Sequence, residues 1–149
     1  MYQKDYILRM IEMLGDLLRA IFGLITRGDY RQAEKKLNEA FYTMLRKDSW
    51  FFHDIPVEKL TKTLIEDHNY TNNHLLILAE LLHAEAELQF TRNNKTDSLQ
   101  NFQKSLALFE FVDEAYRTYS EERLAKMEDI RKKIKDIIKE TNAKNLTNS

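Results

Sequence analysis

The chain has 149 residues, 43% of them hydrophobic, which is enough to bury a core as one domain. A formal net charge of −1 excludes a general attraction to nucleic acid. The absence of cysteine excludes disulfides, thiolate metal sites and cysteine nucleophiles and fits a reducing compartment, while three glycines and one proline favour long helices with short connections.

Residues from about 4 to 26 carry a helical period of apolar side chains: Ile7, Met10, Ile11, Leu14, Leu17, Leu18, Ile21, Phe22 and Ile25. Tyr6, Met13, Ala20 and Leu24 widen that stripe, so the helix is either buried on two sides or shared with a second copy of the chain. Gly15 and Gly23 would permit close approach in either case. The polar face alternates Lys4, Asp5, Arg9, Glu12, Asp16 and Arg19, unlike the basic face of a membrane-surface helix. The apolar run from Ala20 to Ile25 is far short of the roughly 20 residues a membrane span needs. The opening residues do not read as a signal peptide, and a cytoplasmic protein is expected.

Gly28 closes this helix, and a partner runs from Tyr30 to about Arg46 with Ala33, Leu37, Ala40 and Met44 inward. The stretch from Asp48 to Pro56 breaks the period and reads as an aromatic loop around Trp50, Phe51 and Phe52, followed by a short helix through Val57, Leu60, Leu64 and Ile65. A third long helix to about Arg92 turns Leu75, Leu78, Ala79, Leu82, Ala86 and Phe90 inward. Thr96 or Asp97 caps its partner through Leu99, Phe102, Leu106 and Phe109. A last helix over about 116–140 carries Met127, Ile130, Ile134 and Ile137, which cap the domain or form a coiled-coil seam; residues 142–149 read as a flexible tail.

One pattern occurs twice, 65 residues apart. Gly28, Ala33, Leu37 and Ala40 correspond to Asn93, Ser98, Phe102 and Ser105, and Leu14 and Leu17 to Ala79 and Leu82. In each copy a residue tolerant of the left-handed conformation is followed by small, large and small residues, the logic of a repeated antiparallel helix pair. Gly28-Asp29-Tyr30 with Ala33, Leu37 and Ala40 resembles the turn and second helix of a tetratricopeptide unit, whose 34-residue period is about half the shift. The first helix departs from that motif, with Leu17 and Ile21 at its expected aromatic and glycine positions. The resemblance implies an all-α, tetratricopeptide-like right-handed superhelix of six or seven helices: a single domain over 1–141, with pairs at about 4–47 and 72–112 and an irregular middle unit at 48–71. The opening Asp5-Tyr6-Ile7-Leu8-Arg9 also resembles the start of an uncharacterised bacterial family of small helical proteins with tetratricopeptide-like pairs. That second resemblance implies fold and bacterial origin but no chemistry.

Residues 63–91 contain five acids and no lysine or arginine, whereas residues 123–139 hold seven basic residues against three acids. The two segments either face each other or make separate surfaces. In the second case the third helix lines a groove with an acidic wall of Glu80 and Glu87, with Asn73 and His74 near its mouth, suited to a basic peptide. Trp50 and Phe51 would anchor a partner if exposed. The basic run Arg131-Lys132-Lys133 lacks interleaved aromatics, so no nucleic-acid partner is expected. His83 and Glu87, four apart, share a helix face and could touch one metal ion, whereas His74 falls on the opposite side. No nucleophile–base motif or glycine-rich phosphate loop occurs. The sequence therefore points to a non-catalytic interaction or scaffold module without a cofactor, possible as a homodimer; the alternative is a metal- or small-molecule-binding helical protein using His83 and Glu87.

Overall fold

A computed structural model describes residues 2–117 and 120–147, apart from the side chains of residues 2–5 and 7. The side chains of Lys4, Asp5 and Ile7, and with them part of the opening signature, lie outside the described residues, as do residues 148 and 149 of the expected tail. The described residues form seven helices and no strand: α1 (Tyr2–Thr26), α2 (Tyr30–Leu45), α3 (Ser49–His53), α4 (Val57–His68), α5 (Asn72–Thr91), α6 (Lys95–Tyr116) and α7 (Glu121–Thr147).

The turns after α1 and α5 are alike bond by bond. Gly28 and Asn93 take φ of 79° and 63°, the left-handed conformation that ends a helix. Around Gly28, Arg27 N donates to Gly23 O, Gly28 N to Ile25 O and Asp29 N to Leu24 O. The same three bonds recur 65 residues on: Arg92 N to Leu88 O, Asn93 N to Phe90 O and Asn94 N to Gln89 O. These bonds satisfy carbonyls that the last turn would otherwise leave open. The helix after each turn starts differently. Asp29 accepts from Gln32 N to cap α2, whereas α6 begins earlier than Thr96 or Asp97, at Lys95, with Asn94 as its cap residue and bonded to Asp97.

All six small and large positions of the repeated pattern are buried: Ala33, Leu37 and Ala40 on α2, Ser98, Phe102 and Ser105 on α6. The serines do more than leave space. Ser98 Oγ donates to Ala86 O at 2.9 Å and Ser105 Oγ to Ala79 O at 2.7 Å, each reaching the backbone of α5. Alanine at 79 and 86 exposes those carbonyls, and α5 with α6 forms the most extensive close helix–helix contact of the molecule. The positions 65 residues earlier, Leu14 and Ile21 on α1, carry bulky side chains.

Helix α5 is central. It packs on α1, α2 and α6, and its buried residues (Leu75, Ile77, Leu78, Ala79, Leu81, Leu82, Ala84, Ala86 and Leu88) go round the helix rather than forming one stripe. Only Phe90 of the inward set is half-buried. The two helix pairs are thus direct neighbours, and segment 48–71 is an excursion to the side. Helix α4 lies on α6 and α3 on α2. Glycine at 15 and 23 does not mark a close approach within the chain: a Cβ at Gly23 would meet nothing within 4 Å, and one at Gly15 only the Arg19 guanidinium at 3.7 Å.

Two expectations need correction. The aromatic stretch is not a loop, because Ser49–His53 form one helical turn that sends its three aromatics in different directions: Phe52 is fully buried, Phe51 half-buried and Trp50 62% exposed. Phe52 stacks against Phe41, Phe51 and Tyr70. Helix α7 does not stop near residue 140 but continues through Thr147, since the polar residues from Asn142 onward include neither glycine nor proline to break it.

Candidate functional site

The charged segments of α5 and α7 face each other. Lys126 Nζ donates to both Glu80 carboxylate oxygens at 2.8 Å, and Lys133 Nζ pairs with Glu87. Near the end of α6, Arg123 reaches Asp113 at 2.6 Å and Arg131 reaches Glu110 at 3.0 Å. The acidic wall that would select a basic peptide is therefore neutralised: Glu80 and Glu87 retain 18% and 15% side-chain exposure and each touches a lysine. The lysines that do this project from the side of α7 turned inward, not from a wet face.

Beside these pairs a groove of about 720 Å³ opens between α1, α5 and the start of α7. Its floor is apolar, made by Ile11, Leu14, Leu18 and Phe22 of α1 with Leu76 and Ile77 of α5. Arg19, Glu80, Arg123 and Lys126 form its polar side, and Asn73 stands on its edge. Ile11 is 45% exposed, and the helix end leading to it carries Tyr6, Leu8 and Met13, all more than half exposed. The reason is length. At 1.5 Å per residue α1, with 25 residues, is about 13 Å longer than the 16-residue α2 that covers it, so the apolar stripe overhangs its support.

His74 is not part of that groove lining. It sits in the first turn of α5, where its backbone N–H donates to Thr71 Oγ1 and Thr71 N donates to its Nδ1 at 3.0 Å, a reciprocal cap that satisfies two otherwise open donors. Burial lowers its pKa, and its ring lies 5.0 Å from that of Tyr70. The Tyr70 hydroxyl donates to Leu45 O at 3.3 Å, and burial pushes that phenol up to about 12.

His83 is buried between the rings of Phe22 and Phe102, at 5.8 and 6.2 Å. Its Nε2 is 3.3 Å from Glu87 Oε1, out of line for a hydrogen bond, and neither ring nitrogen has a hydrogen-bond partner. Burial by itself would raise the Glu87 carboxyl, but the His83 imidazole and the Lys133 ammonium outweigh it and hold the carboxyl below its usual value. The Lys133 ammonium is disfavoured by burial, yet Glu87 and Asp129 together raise its pKa above the usual lysine value. Asp129, on α7, adds a carboxylate 3.1 Å from Lys133 Nζ. The ligating atoms of His83, Glu87 and Asp129 all lie within 4.8 Å of one another.

A second buried cation escaped the sequence reading. Lys104 of α6, 5% exposed, donates to Phe52 O at 3.0 Å and His53 O at 2.8 Å, closing the carbonyl end of α3. Burial depresses its pKa against the opposing pull of Asp54 and Glu85. His53 Nε2 approaches Glu85 at 2.8 Å alongside. The only cue in the sequence was a lysine on the same helical face as Ser98 and Ser105.

Of the residues singled out beforehand, the fold brings Asn73 and Glu80 to the groove and places His83 with Glu87 in a separate polar cluster behind it. His74, Trp50 and Phe51 stand apart from both. No protein-family model, curated protein or solved structure matches the chain. Among the described residues no helix is long and apolar enough to cross a membrane.

Proposed function

We propose that this chain is a non-catalytic protein-interaction module of a bacterial cytoplasm, docking an amphipathic helix of its partner in the groove between α1, α5 and α7. The observation that carries the reading is the groove itself: an apolar floor open to solvent and continuous with the exposed stripe of Tyr6, Leu8 and Met13. Exposed apolar surface rimmed by polar side chains is how protein-binding sites differ from ordinary surface. With Glu80 held by Lys126, the rim carries both signs of charge and the apolar floor supplies the affinity. The contact of α5 with both helices of the preceding pair supports a tetratricopeptide-like, right-handed stacking, a fold that presents rigid curved surfaces.

Ile11→Asp combined with Leu76→Asp places two carboxylates on the floor. A partner co-purifying with the wild-type chain should be lost from the double variant while its circular dichroism stays the same. Equal recovery of that partner would remove the groove from the reading. The overhanging end of α1 favours a second occupant, another copy of the chain. Light scattering on the same two proteins distinguishes the cases, because a homodimer would fall to a monomer in the double variant.

A further inference from the structure

We propose that His83, Glu87 and Asp129 form a binding site for a divalent transition-metal ion, in which the Lys133 ammonium holds the cation position until metal displaces it. The donor atoms are one imidazole nitrogen and two carboxylate oxygens, from α5 and α7, all within 4.8 Å of one another. The acids alone would make only a salt-bridge cluster with Lys133. His83 adds the independent observation: it is more than nine-tenths buried, faces the cluster through Nε2, and leaves both ring nitrogens without a hydrogen-bond partner. An unsatisfied buried polar group is costly, and native structures retain few of them.

The spacing suits coordination. Two ligands at about 2.0–2.1 Å from one tetrahedral ion are themselves about 3.3 Å apart, the usual metal–nitrogen and metal–oxygen distances being the basis of the estimate. His83 Nε2 and Glu87 Oε1 are 3.3 Å apart. Asp129 is half exposed, so its carboxylate has the freedom to close the remaining gap, and Lys133 has a long stem with which to swing to solvent. An ammonium neutralises the two acids but offers nothing to an imidazole lone pair. A metal ion satisfies all three groups together. The nitrogen donor selects Zn²⁺, Co²⁺ or Ni²⁺ over Mg²⁺ and Ca²⁺, which prefer oxygen alone. Three protein ligands leave a fourth position for water or a small anionic ligand.

Titration of the full chain with Zn²⁺ by calorimetry, and with Co²⁺ by its visible absorption, tests the site directly. One ion should bind per chain. Lys133→Met should bind at least about tenfold more tightly, because its competitor is gone. His83→Gln and Asp129→Asn should each weaken binding by about 100-fold or more, since even residues one step removed from a metal contribute 10- to 100-fold. Asp129 is exposed, so its variant keeps the fold even if His83→Gln does not. Absence of saturable binding in Lys133→Met, or unchanged affinity in Asp129→Asn, overturns the proposal.

Discussion

Replacing Phe52 with alanine, beside a matching Trp50→Ala variant, separates two aromatics that the sequence presents as one cluster. Phe52 is fully buried, packed at ring-centroid distances of 5.8 Å from Phe41, 5.2 Å from Phe51 and 6.3 Å from Tyr70. Truncating a buried phenylalanine removes its transfer free energy and leaves a cavity, together about 3–5 kcal/mol. A chain of 149 residues has an unfolding entropy of about 0.31 kcal/mol/K at about 2.1 cal/mol/K per residue, so the melting temperature should fall by about 10–16 °C. Trp50 is 62% exposed, and its loss should stay within about 0.5 kcal/mol, or about 2 °C. Thermal melts followed by circular dichroism at 222 nm measure both shifts. A Phe52→Ala shift below 3 °C, or equal shifts for the two variants, would refute the inward placement of Phe52 by α3.

Three further outcomes test the packing and the electrostatics. Ser105→Ala should cost about 1 kcal/mol for the lost bond to Ala79 O, whereas Ser105→Leu should cost well over that by forcing α5 and α6 apart; urea midpoints that leave Leu no worse than Ala would contradict the close contact. Because the folded Glu87 carboxyl lies below its ordinary value of 4.5, the unfolded chain takes up that proton first as pH falls. The stability it contributes is present above pH 4.5 and lost as pH drops through the folded value, so the gap between wild type and Glu87→Gln in urea midpoint should close toward acid; parallel curves would deny the shift. The Tyr70 phenol, pushed up to about 12, contributes stability that is complete below pH 10 and disappears as pH rises through 12. The absorbance at 295 nm that distinguishes wild type from Tyr70→Phe should therefore appear near pH 12 in folded protein, and its appearance near pH 10 before unfolding would contradict the burial of that ring.

The local features were readable because each depends on neighbours in the chain. Gly28 and Asn93 announce their left-handed turns by residue type, and the small–large–small spacing after them marks one buried helix face. Arg46 and Arg117 take the same left-handed conformation at the ends of α2 and α6, and nothing in an arginine signals it. The one-turn helix of Ser49–His53 was equally hidden, since five residues are too few for a period to show and its carbonyl end is closed by Lys104, about fifty residues away. Helix α5 misled in another way: an inward face was sought where the helix is enclosed all round, because periodicity reports a boundary with water and α5 has little of one.

The site divides along the same line. Position four apart on one helix already placed His83 beside Glu87, a consequence of 3.6 residues per turn. The opposite charges of residues 63–91 and 123–139 left open whether they meet, because charge carries no direction. Only the crossing of α7 over α5 decided that Lys126 covers Glu80, that Lys133 and Asp129 join Glu87, and that the groove is walled by apolar side chains instead of an acidic face. By itself, then, the sequence determined the long helices, the two matching turns and the faces buried after them, all set by contacts within a few residues. The tertiary structure alone decided which charges are neutralised and which apolar surface stays open, because both depend on the docking of helices more than forty residues apart in the chain.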